Sequence, residues 1–135
     1  LIADSGLGEQ LSRALLQLAE LTPGDMTVNL AKLTAIGAGL GFLTTLSGYP
    51  AVATPLAQDF ASASGIPLYT VLMLQVVVFS TVFLPYQSPP MMIGMQLGGA
   101  SLRDGARLCL PLAAATVLIL IPLDYLWWWL LGYIA

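Results

Sequence analysis

The sequence predicts an all-α integral membrane protein. Three observations carry that reading. The 135 residues are 58% hydrophobic and 8% charged, where soluble domains carry about a quarter charged residues, so the chain cannot clothe a water-facing surface. No charge stands between Lys32 and Asp59, nor between Asp59 and Arg103; the second run is roughly forty residues, and about 20 suffice to cross a hydrocarbon core. Trp127, Trp128, Trp129 and Tyr133 cluster near the C-terminus, and such aromatic residues favour the headgroup zone.

Composition also excludes chemistry. There is no histidine and one cysteine, Cys109. That removes a His-based triad, a His/Cys metal site and an internal disulfide. Cys109 stands between Leu108 and Leu110 and reads as a small buried hydrophobe. No organic cofactor, nucleic-acid partner or enzymatic activity is expected. A net charge of −3 says little about a chain immersed in lipid. The N-terminus has no start methionine and no basic n-region of a signal peptide. Leu1, Ile2 and Ala3 read as the tail of a preceding span, so a piece of a longer protein is expected.

Residues 5–22 form an amphipathic helix. Leu7, Leu11, Leu15 and Leu18 recur at helical spacing, with Glu9, Arg13, Gln17 and Glu20 opposite. Asp4 or Ser5 can cap it, and such a helix lies along the bilayer interface. Pro23, Gly24 and Asp25 make a turn. The next unit covers 28–60. Its helix starts near Thr27 or Asn29 and runs to about Leu46, where Ser47-Gly48-Tyr49-Pro50 interrupts it. Gly48 loosens the backbone; Pro50 lacks an amide hydrogen and disfavours helix at Tyr49. A second apolar stretch over 51–57 ends at Gln58 and Asp59. Each limb is too short to cross a bilayer alone at about 1.5 Å per residue. Two shapes fit: a kinked span, or a re-entrant helical hairpin with its tip near the midplane. Broken backbone at that depth needs cover from protein or a watery cavity.

After a turn over 62–67, a discontinuous transmembrane helix covers 67–98. Its first part, 68–84, surrounds Val76, Val77 and Val78 and breaks at Pro85-Tyr86-Gln87-Ser88-Pro89-Pro90. Helix resumes at Met91 and stops at Gly98 and Gly99. A polar loop over 101–107 leads into the final transmembrane helix, 106–133. Arg103 and Arg107 make the near end of that span cytoplasmic by the positive-inside rule.

The two breaks carry the chemistry. An interrupted helix exposes amide hydrogens at one half and carbonyl oxygens at the other. The amides attract anions, and the carbonyls attract cations such as Na⁺. Secondary transporters hold a charged substrate this way, without a side-chain charge in lipid. Gly37 with Gly41, and Gly94 with Gly98, have the spacing of close helix packing. Asp59 and Asp124 read as solvated ends, and Met91, Met92 and Met95 as core filler.

At these residues the sequence resembles the divalent anion:sodium symporter family, the carriers of dicarboxylates, citrate and sulfate. Family members carry a Ser-Asn-Thr hairpin tip, a helix broken at Thr-Pro-Pro, a Gly-rich half-helix, a short basic loop and a final span. Here Ser47-Gly48-Tyr49 stands at the tip and Ser88-Pro89-Pro90 at the break. Gly94, Gly98 and Gly99 follow, then Ser101-Leu102-Arg103-Asp104. Asp4-Ser5-Gly6-Leu7-Gly8 is similar to the family's approach to an interfacial arm. The resemblance implies the hairpin rather than the kinked span, with both hairpin ends outside, which sets Lys32 against the positive-inside rule. It implies that Ser47 and Ser88 sit beside the substrate carboxylate and that Pro89 shapes the pocket. It further implies that carbonyls near Gly48 and Gln87 help coordinate one Na⁺ as coupling ion. Gly48 stands for the family asparagine and Tyr49 for its threonine, which leaves the Na⁺ site to backbone groups. Tyr49 fills pocket volume, hydrogen-bonds a different substrate, or closes the site.

The expected function is cation-coupled secondary active transport of a small anion, a di- or tricarboxylate or a sulfate-like ion. The expected setting is multi-pass, in the bacterial inner membrane, with this segment supplying half of the binding site. The partners are the lipid bilayer, the rest of the transporter chain carrying an inverted repeat, and a second copy in a homodimer. The alternatives are a non-transporting membrane subunit packing against partner helices, and a permease or channel for an oxyanion such as arsenite.

Overall fold

The computed structural model describes residues 7–133, with side chains from Gln10 onward. The expectations placed on residues 1–6, including the cap at Asp4 or Ser5, fall outside the described residues. All regular structure described is helical. Two helices, Met26–Leu43 and Leu102–Leu130, are long and apolar enough to cross a membrane.

The amphipathic N-terminal pattern becomes α1, Leu7–Ala19. It packs Leu11, Leu15 and Leu16 on the core while Leu18 faces outward. The chain leaves α1 at Glu20 with φ 45°. The Lys32 ammonium donates to the Glu20 carbonyl at 2.7 Å, satisfying an oxygen that a helix end would otherwise leave orphaned. Asp59 is exposed, as the sequence reads it, and also accepts a hydrogen bond from Ser12 of α1.

α2, Met26–Leu43, and α3, Tyr49–Ser64, form an antiparallel helical hairpin. Leu30, Leu33, Gly37 and Leu40 are buried at helical spacing along α2. At about 1.5 Å per residue α2 is about 27 Å long; it ends at Leu43 rather than near Leu46 and is nevertheless long and apolar enough to cross a membrane, which corrects the reading of this limb as too short. The second limb runs further than expected, to Ser64 rather than to Asp59. Pro50 stands in its first turn, where no amide hydrogen is needed. α3 stops at Gly65, in the left-handed region at φ 73°, whose amide reaches Ala61 at 3.0 Å. At the open end of the hairpin Asn29 is wholly buried. It donates to the carbonyls of Thr22 at 2.8 Å and Ser64 at 3.2 Å, and accepts from the Thr22 amide at 3.2 Å.

α4, Leu68–Phe79, returns along α3, with the Gln75 amide on the Ala53 carbonyl at 2.8 Å. It ends five residues before the expected limit of 84. The hydroxyls of Ser80 and Thr81 turn back onto the Val77 carbonyl at 2.8 and 3.0 Å, a local bond that competes with helix continuation. Leu84 precedes a proline and is extended, φ −136° and ψ 146°. A 3-10 turn, Pro85–Gln87, then leads to α5, Pro89–Leu97.

The last helix also differs from its expected bounds. It begins at Leu102, not after a polar loop through 107. Ser101 caps it, accepting from the Asp104 amide at 3.3 Å while the Asp104 carboxylate accepts from the Ser101 hydroxyl at 2.6 Å. Arg103 and Arg107 therefore ride on its first turns. The helix runs as α6, Leu102–Ala115, a π-helical stretch, Thr116–Leu120, and α7, Ile121–Leu130. It lies beside α5, then the interruption after α4, then α4 and α2. Cys109 is buried with its sulfur 3.5 Å from that of Met91. Tyr125 hydrogen-bonds Thr34 and donates to the Leu30 carbonyl at 3.2 Å, and the Tyr133 carbonyl accepts from Thr70 at 3.2 Å.

Close approach is sharpest at Gly105. A Cβ there would come within 2.7 Å of both the Met95 thioether and the Pro85 ring. The methionine can swing away; the proline is locked in the interrupted segment. Gly105→Ala is expected to destabilise the protein by about 1–3 kcal/mol through overpacking, read as a lowered midpoint in thermal melting of the detergent-solubilised protein. An unchanged midpoint would mean that α6 does not lie against Pro85.

Candidate functional site

The two interruptions meet. The Leu46 amide, in the turn between α2 and α3, donates to the Gln87 carbonyl, in the turn between α4 and α5, at 2.8 Å. α3 and α5 begin at this junction, and α2 and α4 end there.

The hairpin turn is organised by Thr45. Its carbonyl accepts from the amides of Gly48 at 3.0 Å and Tyr49 at 2.9 Å, and its hydroxyl lies 3.2 Å from that of Ser47. Ser47 is exposed on the outer lip. Gly48 has φ −83° and ψ −29°, an ordinary helical conformation. Tyr49 is buried, with its ring 6.2 Å from that of Phe79. Its hydroxyl lies over Gly37, where a Cβ would sit 3.0 Å away from it. The phenol runs into the bundle, away from Ser47. Gly41 likewise lies against Gln87 and Phe83, so the first glycine pair does permit close packing. No neighbour stands within 4 Å of a Cβ at Gly94 among the described residues.

Across the junction, Gln87 is 2% exposed. Its side-chain oxygen accepts from the amides of Phe83 at 2.7 Å and Leu84 at 2.8 Å, and its side-chain nitrogen donates to the Gly41 carbonyl. One carboxamide thus serves both sides of the junction. Tyr86 donates to the Phe42 carbonyl, and the rings of Phe42 and Phe83 are 4.6 Å apart. Ser88 is half-buried at the start of α5 and its hydroxyl does not cap that helix. Pro89 is exposed beside it. Ser47 and Ser88 are therefore brought to one junction by the Leu46–Gln87 bond, and Tyr49 lies beneath it.

The electrostatics are asymmetric. The N-termini of α3 and α5 present the positive ends of their dipoles. Yet Pro50, Pro89 and Pro90 have no amide hydrogen, and the amides of Tyr49 and Met92 are already bonded, at 2.9 and 3.1 Å. Beside the serine hydroxyls, the amides of Ala51 and Met91, third in α3 and α5, stand at the same helix ends. Three of the last four carbonyls of α2 are closed internally. Gly41 and Phe42 are met by Gln87 and Tyr86, and Leu40 by the Thr44 hydroxyl at 2.8 Å. The void between Thr45, Tyr49, Thr81 and Gln87 is about 10 Å³, the room of about one water. A groove of about 510 Å³ between α1 and α2 is lined mostly by apolar residues such as Leu15, Ile36 and Leu43, with Glu20 and Lys32 as its charged lining. Among the described residues no three His, Cys, Asp or Glu side chains come together to hold a metal.

Sequence reasoning chose Gln87 for its carbonyl and missed its side chain. The available signal was a carboxamide inside an apolar stretch, since a buried polar group must find partners. Tyr86, Thr45 and Gly41 carried no such signal. No family model, curated protein or solved structure matches this chain.

Proposed function

We propose that the chain supplies one half of a multi-pass secondary active transporter of small anions, of the di- or tricarboxylate or sulfate-like class, coupled to a cation. In this reading α2 and α3 are a re-entrant hairpin, α4 to α5 a discontinuous transmembrane helix, Leu102–Leu130 the last span, and α1 an interfacial helix. The supporting observation is the bond from Leu46 to Gln87, which joins two helix interruptions. Pro85, two residues before Gln87, lies against Gly105 near the start of the last helix, and Thr81 and Val82 share a cleft with Ala113 and Thr116 further along it. The open end of the hairpin lies instead by Tyr125 and Tyr133.

An anion would rest against the hydroxyls of Ser47 and Ser88, at the positive ends of α3 and α5, with Pro89 shaping its wall. The opposite wall would come from an inverted repeat elsewhere in the intact chain. A second reading has one observation in its favour: the closed junction, filled by Tyr49 and Gln87, suits a membrane subunit that only packs against partner helices.

Uptake of radiolabelled citrate, succinate and sulfate by the intact protein separates the two. Ser47→Ala and Ser88→Ala each remove a hydrogen bond to a charged group, worth about 1.5–3 kcal/mol. Each is expected to weaken uptake by about 10- to 100-fold at unchanged expression. Uptake indifferent to both substitutions, or absent from the parent for all three anions, would sink the carrier reading.

A further inference from the structure

The junction presents unsatisfied groups of two kinds. The end of α4 frees the amides of Phe83 and Leu84. The end of α2 frees the carbonyls of Gly41 and Phe42. A cation answers carbonyls only and repels amide hydrogens. A neutral carboxamide answers both at once. Gln87 does so: its oxygen takes the amides of Phe83 and Leu84 at 2.7 and 2.8 Å, and its nitrogen donates to Gly41. The Tyr86 hydroxyl donates to Phe42, and the Leu46 amide to the Gln87 carbonyl at 2.8 Å. Each contact aims the positive end of an N–H or O–H at an oxygen that a cation would need. The remaining void, about 10 Å³, has the size of about one water and leaves no room for a cation with water ligands.

We infer that the Gln87 carboxamide takes the place of a cation at this junction, so the hairpin is held to the interrupted helix without Na⁺ and the coupling ion binds elsewhere. The inference rests on the carrier reading for the role of a coupling ion. It departs from the family resemblance, which puts a Na⁺ site at the carbonyls of Gly48 and Gln87.

The test uses the intact protein carrying Cys109→Ala and Ala51→Cys, an exposed position in the first turn of α3. A membrane-impermeant thiol reagent labels position 51 during titration with NaCl, at ionic strength held constant with choline chloride. A coupling ion bound elsewhere acts on the parent and on Gln87→Glu alike, so the Na⁺-to-choline rate ratio of the parent is the reference. The new carboxylate still accepts from Phe83 and Leu84 but sets an anionic oxygen against the Gly41 carbonyl. That variant should show a further saturable slowing by Na⁺ and a Na⁺-dependent rise in melting temperature beyond any the parent shows. A Na⁺ dependence equal to or smaller than the parent's overturns the inference. Where Gln87→Glu does not fold, Tyr86→Phe, which frees the Phe42 carbonyl, takes its place under the same two outcomes. Citrate, succinate and sulfate added to the parent labelling reaction separate the two claims. Absence of protection by all three sinks the carrier reading, while a Na⁺ dependence gained only by the variant leaves Gln87 as the internal substitute for a cation.

Discussion

Gln87→Leu is expected to cause the largest loss of stability of any single substitution at the junction. Leucine fills a similar volume but offers no polar atoms. The amides of Phe83 and Leu84 and the carbonyl of Gly41 lose the partners they now have. Each buried orphan costs about 1–3 kcal/mol, so the sum is about 3–6 kcal/mol if part of the turn relaxes. Against a typical stability of about 5–15 kcal/mol, that is enough to open the junction or unfold the chain. Thermal melting and limited proteolysis of the solubilised protein check it, with cleavage expected first in the segments around 44–48 and 80–88. Gln87→Glu keeps two of the three bonds and should fall between leucine and the parent. A leucine variant that melts with the parent would show that the carboxamide does not hold the two turns together.

The second large effect is expected at the opposite end of the hairpin. Asn29 is wholly buried and bonds the backbone of Thr22 twice and that of Ser64 once. It fastens the loop after α1, the start of α2 and the end of α3. Asn29→Leu leaves three backbone groups unpaired, at about 1–3 kcal/mol each. Water can reach this end more readily, so a loss of about 2–4 kcal/mol is expected, below that at Gln87. Asn29→Asp does no better, because the carboxylate keeps the bond from the Thr22 amide but faces two carbonyls that need donors. The functional readouts should also part. A folded Asn29 variant should keep parental anion affinity, since it lies away from Ser47 and Ser88. Substitution of Gln87 should disturb both stability and affinity. Equal effects of the two residues on anion binding would mean that the junction has no special part in it.

Both residues show where sequence reading stopped. The interruption at 47–50 was legible because Gly48 and Pro50 act on the backbone wherever they stand. The break at 85–90 was legible for the same reason, with three prolines in six residues. Its true beginning was not. Residues 80–84 read as continuing helix, and their unwinding depends on hydroxyls that turn back onto Val77 and on the side chain of Gln87, which meets the freed amides. Tyr49 was assigned to the pocket from its position in the tip. Its rotamer carries the ring inward to Phe79, over the space left by Gly37, a contact between residues far apart in sequence. The start of the last helix was misread for a simpler reason. The charges of Arg103, Asp104 and Arg107 suggested a loop, whereas Ser101 and Asp104 form a reciprocal cap.

Hydropathy, charge spacing and the placement of proline and glycine determined by themselves that the chain is helical, that its last helix has the length and apolarity of a membrane span, and near which residues the backbone stops being helix. These are local properties, set by what a residue's own backbone allows and by the solvent it suits. Only the tertiary structure decided that the two stops touch, that a glutamine carboxamide bonds both of them, and which hydroxyls stay on the outer lip. The partner of a freed amide or carbonyl is chosen by proximity in space, and no periodicity along the chain encodes it.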